Sequence, residues 1–242
     1  MHIESSTWTE LEAVGTDLAV VPVGSTEQHG PHATLGTDTQ NARTIADGAV
    51  DRYDGTVVVT PAIPVGVAEE HRAFSGTLWV SESTFRSYLE DVVESLCFHG
   101  FDRVVFVNGH GGNVAALREV AAGLTRDEPA FVATFTWFDE VGEYTAQMGH
   151  GGPLETALLL YSNPEFVRTD RLDAAADGGS DRWGDWQGKT NLAYDTEEFS
   201  ENGVVGDPRE ANAELGEELF ERATTALVEL LDAVADRDID AE

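Results

Sequence analysis

The sequence predicts an α/β protein, a three-layer α/β/α sandwich with a mainly parallel sheet. Two observations carry this. Four short runs, 18–23, 56–61, 103–107 and 131–135, are apolar, rich in β-branched or aromatic residues and bounded by turn residues, as strands covered on both faces are. Between them, 39–53, 83–99 and 114–124 carry apolar residues at helical spacing, and strand alternating with helix gives a parallel sheet layered between helices.

Taken in order, the first strand leaves Val23 for the polar run 24–38, and the helix after it opens at Asp38. The second strand runs toward Glu69-Glu70-His71-Arg72, and the helix over 83–99 ends in His99-Gly100, a usual helix stop. The third strand passes directly into Asn108-Gly109-His110, with the next helix following near Asn113. A glycine turn, His150-Gly151-Gly152, leads into another apolar helix. The last helix is expected over 208–235, with proline and acids near its start. The stretch 170–206, rich in Gly, Asp, Trp and Thr, has little periodicity and is long for a passive loop. No internal repeat or linker interrupts the chain, so one domain over 1–242 is expected.

Composition narrows the function. With 14 lysines and arginines against 45 aspartates and glutamates, the net charge is −31, which repels a nucleic-acid backbone. Lys189 is the sole lysine and the acids are spread along the chain, a pattern suited to a surface kept soluble in brine. Cys97 is the single cysteine, so no intrachain disulfide can form, and its apolar surroundings suggest core filling. The start of the sequence has no basic-then-apolar leader, and no run reaches the roughly 18 apolar residues of a membrane span. A soluble, cytoplasmic protein without nucleic-acid or membrane partners is expected.

In open parallel sheets ligands gather beyond the carboxyl ends of the strands. Three such ends carry the polar residues just named, so they should meet in one crevice. Glu27 and His29 alternate and in extended geometry point the same way, able to hold neighbouring metal ions. Asp38 reads either as a helix cap or as a ligand. His110 lies among glycines in VFVNGHGGN; a phosphate-cradling loop is the rival reading, but the Walker lysine and the GxGxxG spacing are both missing. His150 and Glu155, in GHGGPLETALLLY, read singly as a turn histidine and a first-turn acid; beside the other motifs they read as site residues. His71 either packs on Phe74 or Trp79 or faces substrate, and Trp183 and Trp186 either pack or wall a pocket. His32 holds the first loop, while His2 and His99 look incidental.

The stretches PVGSTEQHGPHATLGTD, EEHRAFSGTLWV, NGHGGN, HGGPLET and GVVGDPREA, spread over 22–211 in this order, resemble the creatininase, or creatinine amidohydrolase, family. The resemblance implies a three-layer α/β/α fold and two divalent metals, with Glu27 and His110 on one, His29 on the other and Asp38 bridging. It implies hydrolysis of a non-peptide C–N bond in a small amide, with His150 handling protons, and often a hexamer assembled as a trimer of dimers. Where creatininase proper has a glutamate for the second metal, this chain has Gly112, and Glu155 is the expected replacement. NGHGGN also resembles the branch with archaeal formamide hydrolases of riboflavin and deazaflavin synthesis and with peptide-trimming relatives. Oxygen and nitrogen ligands without thiolate suit Zn²⁺, Mn²⁺ or Fe²⁺, and two ions sharing Asp38 would bring a bound water toward a pKa of about 7. His71, Arg72 and Trp183 are the expected substrate contacts, Arg72 as the clamp for a phosphate if the substrate carries one. The competing readings are a formylaminopyrimidine ribonucleotide deformylase and a non-catalytic metal- or ligand-binding protein on the same fold.

Overall fold

The computed structural model describes residues 1–127 and 130–239. The strands β1 (Leu18–Val23), β2 (Val58–Val59), β3 (Arg103–Asn108) and β4 (Phe131–Thr136) form one sheet in the order β2-β1-β3-β4, every pair parallel. Register between β1 and β3 runs from Leu18 opposite Arg103 to Val23 opposite Asn108, so these two strands end level. Pro22 is tolerated in this inner strand because β2 has already ended beside it, and its carbonyl accepts from the Ile63 N–H instead.

Alternation along the strands builds the two outer layers. Beyond the short first helix α1 (Trp8–Glu12), Leu18 and Val20 of β1 and Val105 and Val107 of β3 face a core made by helices α2 (Thr37–Val50), α5 (Pro153–Ser162) and α7 (Ala213–Ala235). Ala19, Val21, Val23, Val104 and Phe106 face the opposite core, made by α3 (Glu82–Phe98) and α4 (Val114–Asp127). The helices answer with stripes four residues apart: Leu219, Ala223, Leu227 and Leu231 on α7, Phe85, Leu89 and Val93 on α3. Each large side chain so buried contributes about 1.5–3 kcal/mol, and the period-2 strands against period-4 helices admit one register. Cys97 lies half-buried against the second core, as its apolar setting suggested.

Three boundaries depart from the sequence pattern. The second strand pairs only at Val58 and Val59, because Pro61 offers no donor and the chain then detours through Ile63. The last helix starts at Ala213, where the Asn212 side chain accepts from the Leu215 N–H; Pro208 opens a separate 3-10 turn, and Ala211 is extended between them. Inside 170–206 lie a short helix, α6 (Leu172–Asp177), and a hairpin of β5 (Trp186–Gln187) and β6 (Thr190–Asn191). No helix among the described residues is long and apolar enough to cross a membrane.

Candidate metal centre

The chain leaving β1 turns back on itself, with the Glu27 N–H bonded to the Leu35 carbonyl, and delivers Asp38 into the first turn of α2. Glu27 and His29 point into the space beyond the sheet edge, while Gln28 between them turns toward the segment that carries His71. His110, two residues past β3, reaches the same space. His150 and Glu155 come from the turn before α5 and from its first turn. Asp38 is a first-turn residue whose carboxylate faces histidines, so its place is not that of a helix cap.

The six polar residues meet in two halves. In one, Glu27 Oε1 lies 3.1 Å from His110 Nδ1, and Asp38 Oδ2 lies 3.3 Å from the same nitrogen. In the other, His29 Nε2 lies 3.0 Å from Asp38 Oδ1 and 3.6 Å from Glu155 Oε1. His150 Nδ1 is 3.7 Å from Glu27 Oε1 and its ring leans on that of His29, with centroids 4.3 Å apart. All six are buried. Among the described residues, Glu27, Asp38 and His110 bring one ligand atom each within 4.8 Å of one another, and so do His29, His150 and Glu155.

This donor set fits divalent metal. Both oxygens of Glu27 and Oδ2 of Asp38 are buried without a hydrogen-bond donor, an arrangement that costs several kcal/mol per charge unless a cation stands nearby. The histidines are turned to match. His110 Nε2 donates to the Val67 carbonyl at 2.6 Å, His29 Nδ1 to the Glu27 carbonyl at 3.2 Å, and His150 Nε2 to the Gln28 carbonyl at 2.6 Å. Each therefore presents its other nitrogen to the carboxylates, as metal-ligating histidines do. Without a cation the cluster draws protons. Burial opposes charge on His29 and His110, yet Asp38 with Glu155, and Glu27 with Asp38, hold these imidazoles well above their ordinary value. Burial pushes the carboxyls of Glu27 and Glu155 up, whereas Asp38, despite burial, is held well below the carboxylate range by His29 and His110. His150 is brought down to about 4, by burial first and by the neighbouring His29 second.

Beside the cluster opens a crevice of about 680 Å³ lined by Glu70, His71, His110, His150, Glu155, Arg182 and Trp183 among others. His71 is wholly buried, its Nε2 3.4 Å from Glu27 Oε1, and packs on His150 rather than on Phe74 or Trp79. Trp183 meets the edges of His71 and His150 and forms a wall; Trp186 stays exposed, with its indole N–H on the Trp183 carbonyl. Arg72 is not brought to the crevice. Its guanidinium is bound by Asp195 at 2.6 Å and Glu69 at 3.5 Å on the exposed side, and the arginine that lines the crevice is Arg182. His32 bonds the Thr156 hydroxyl at 2.9 Å and ties the loop to α5. Glu70, from the polar exit of the second strand, lines the crevice as expected, whereas the sequence pattern assigns no role to Gln28, although a polar residue between two candidate ligands was the available signal.

Gly112 lies against this site in a way that explains its identity. A Cβ there would collide with the Val67 carbonyl oxygen and crowd His110 Nε2, the two atoms whose hydrogen bond aims His110. A side chain at 112 would therefore displace that bond, while Glu155 reaches His29 from the first turn of α5.

Residues 4–231 match the family model Creatininase: Creatinine amidohydrolase. The mycofactocin precursor peptide peptidase of Mycolicibacterium smegmatis is 34% identical over 238 residues, covering 96% of this chain and 88% of its own. The creatinine amidohydrolase of Pseudomonas putida is 27% identical over 192 residues, 69% of this chain and 73% of its own. Among solved structures, a manganese form of creatininase superposes with a TM-score of 0.77 at 22% identity, over 98% of this chain and 99% of that one. A Zn–Zn form of a creatininase mutant gives the same score and identity over 98% of both chains, and at this identity both likenesses speak for the fold. The fold and the family match thus place the protein among the hydrolases that act on C–N bonds. It belongs to the creatininase family.

Proposed function

We propose that residues 1–242 work as one unit, a two-metal amidohydrolase that cleaves the C–N bond of a small cyclic amide or formamide. The observation that carries this is Asp38, whose two carboxylate oxygens face different histidines, Oδ1 toward His29 and Oδ2 toward His110. Glu27, His110 and Asp38 would hold one ion, and His29, Glu155 and Asp38 the other, as Zn²⁺, Mn²⁺ or Fe²⁺. Such ions supply Lewis acidity, lowering the pKa of water and polarising a carbonyl.

The chain's own residues do the rest. His150, neutral near pH 7 and anchored through Nε2, offers Nδ1 to take the proton lost by the attacking water and pass it to the departing nitrogen. Trp183 and the buried ring of His71 close one side of the crevice and exclude bulk water from the charges developing there. Glu70 and Arg182 at the lining offer one carboxylate and one guanidinium to polar substituents of the substrate.

A second reading, a short-peptide amide as substrate, draws support from the 34% identical peptidase and from a crevice of about 680 Å³, larger than creatinine requires. The formylaminopyrimidine nucleotide would use Arg182 for its phosphate in place of Arg72. A homo-oligomer, hexameric by family resemblance, also belongs to this reading, with exposed Trp8 and Phe98 as surface available for it. The test is to strip the protein, reload it with each metal in turn, and follow product from creatinine, from the formylaminopyrimidine nucleotide and from a panel of short peptides. Turnover of one class fixes the substrate; metal bound with no turnover of any amide supports the non-catalytic alternative.

A further inference from the structure

Distance alone groups His71 with Glu27 and His150 as a third set of ligands. The hydrogen bonds around it say otherwise. Gln28 Oε1 accepts from the Gly30 N–H at 2.9 Å, and Gln28 Nε2 donates to the Gly203 carbonyl at 2.9 Å. A backbone N–H can only donate and a carbonyl can only accept, so the amide has one orientation. The second hydrogen of Gln28 Nε2 then points at His71 Nδ1, 3.0 Å away, and that nitrogen must accept. The Thr196 hydroxyl, also 3.0 Å from Nδ1, rotates to suit. A neutral His71 therefore carries its proton on Nε2, the nitrogen aimed into the site.

This is the reverse of its three neighbours. His29, His110 and His150 spend a ring N–H on a carbonyl and present a lone pair inward; His71 spends its lone pair on Gln28 and presents an N–H. The nearest acceptor, Glu27 Oε1 at 3.4 Å, is not in hydrogen-bond geometry with it, so the donor is left for another oxygen. Gly203, at φ +85°, belongs to the device: a Cβ there would occupy the Gln28 amide.

We propose that His71 is a catalytic hydrogen-bond donor, its Nε2–H directed at the substrate carbonyl oxygen as that oxygen gains charge, and that Gln28 is the positioning residue that fixes its tautomer. The inference rests on the amidohydrolase reading for the word catalytic, while the tautomer itself can be read without turnover. Removing one such donor lowers kcat by about 10²–10³-fold.

The experiment uses zinc-loaded, ¹⁵N-labelled full-length protein and long-range ¹H–¹⁵N correlation of the histidine rings. The expected spectrum shows His71 with Nε2 protonated and Nδ1 bare, and both of its nitrogens unmoved by zinc addition beyond small shifts. Gln28→Glu, whose carboxylate accepts, should transfer the His71 proton to Nδ1 and lower kcat with KM and zinc content held. Gln28→Met should leave the tautomer unfixed, with a smaller loss of kcat. His71→Gln, which keeps an N–H near the Nε2 position, should retain more activity than His71→Leu. An Nδ1–H tautomer in the wild type, or a His71 nitrogen with the shift of a zinc ligand, overturns the inference while the amidohydrolase reading stands. If no metal binds and no amide turns over, that reading fails while the nitrogen spectrum still judges the tautomer.

Discussion

The two halves of the metal centre are built from different parts of the chain. Glu27 and His110 lie just beyond two neighbouring strands of one sheet that end level, so sheet register brings their segments to the same edge. His29 and Glu155 meet only because α5 packs under the β1 loop, an arrangement that depends on the core between α2, α5 and α7. The first half is tied to the edge of the sheet and the second to the docking of a helix. The difference teaches that the second half depends on tertiary docking, since Glu155 reaches it only from the first turn of α5.

Asp38, shared by both halves, is the point at which the distinction should vanish. Asp38→Asn removes the one charge that both halves share, and both metals should be lost together, with activity down by about 10³-fold or more, the scale seen when a principal electrostatic element is removed. Elemental analysis of the purified variant, with circular dichroism to show that the fold persists, checks it. Retention of two metals by this variant would sink the bridging role.

The single-half variants sharpen the comparison. Glu155→Gln should lower affinity for one ion by about 10–100-fold and leave the other bound, whereas Glu27→Gln should weaken the complementary ion by a similar factor. Titration with Zn²⁺ under a competing chelator resolves the two steps. Equal loss of both ions in either variant would show that the halves are one site.

Much of this was legible beforehand because of where the residues fall. Glu27, His29 and Asp38 share a single strand exit, and His110 follows directly on a strand, so chain continuity and the carboxyl-end rule suffice to assemble them. The unbroken apolar runs 18–23 and 103–107 likewise declared a sheet covered on both faces. What stayed hidden depended on tertiary placement. Nothing in the local pattern of Arg72 says that Asp195, 123 positions away, pulls it outward. Gln28 acquires meaning only once Gly203 and His71 arrive beside it. The short pairing of β2 and the late start of α7 follow from Pro61 and from the Asn212 cap, where a proline ring and a side-chain acceptor overrule periodicity.

Acidity should act on both halves in the same direction. His29 in one and His110 in the other are held well above the ordinary histidine value, so near pH 7 the metal-free site carries a proton on each. Metal binding must expel them, so affinity rises with pH by about tenfold per unit for each proton released. For folding of the metal-free protein the sign is opposite: raised pKa values favour the folded state below the unfolded value of about 6.5, and that contribution fades as pH rises through the folded values. His150, brought down to about 4, acts against them, since its stabilisation is present above about 6.5 and is lost as pH falls toward 4. Calorimetric zinc titrations in buffers of different ionisation enthalpy count the protons. A value near zero at pH 7 would mean that the imidazoles already stand neutral.

The smallest effect is expected at the residue that most clearly separates the halves. Gly112→Ala places a methyl group against the Val67 carbonyl and His110 Nε2, so it should disturb the Glu27–His110 half and leave His29 and Glu155 in place. Overpacking of this kind costs about 1–3 kcal/mol, at roughly 2–4 °C of Tm per kcal/mol for a chain of this size. Thermal unfolding of metal-free and zinc-loaded protein measures it. If the loss is greater in the zinc-loaded form, the methyl group has turned His110 away from the ion; if it is the same in both, the backbone has yielded and the aim of His110 does not depend on the glycine.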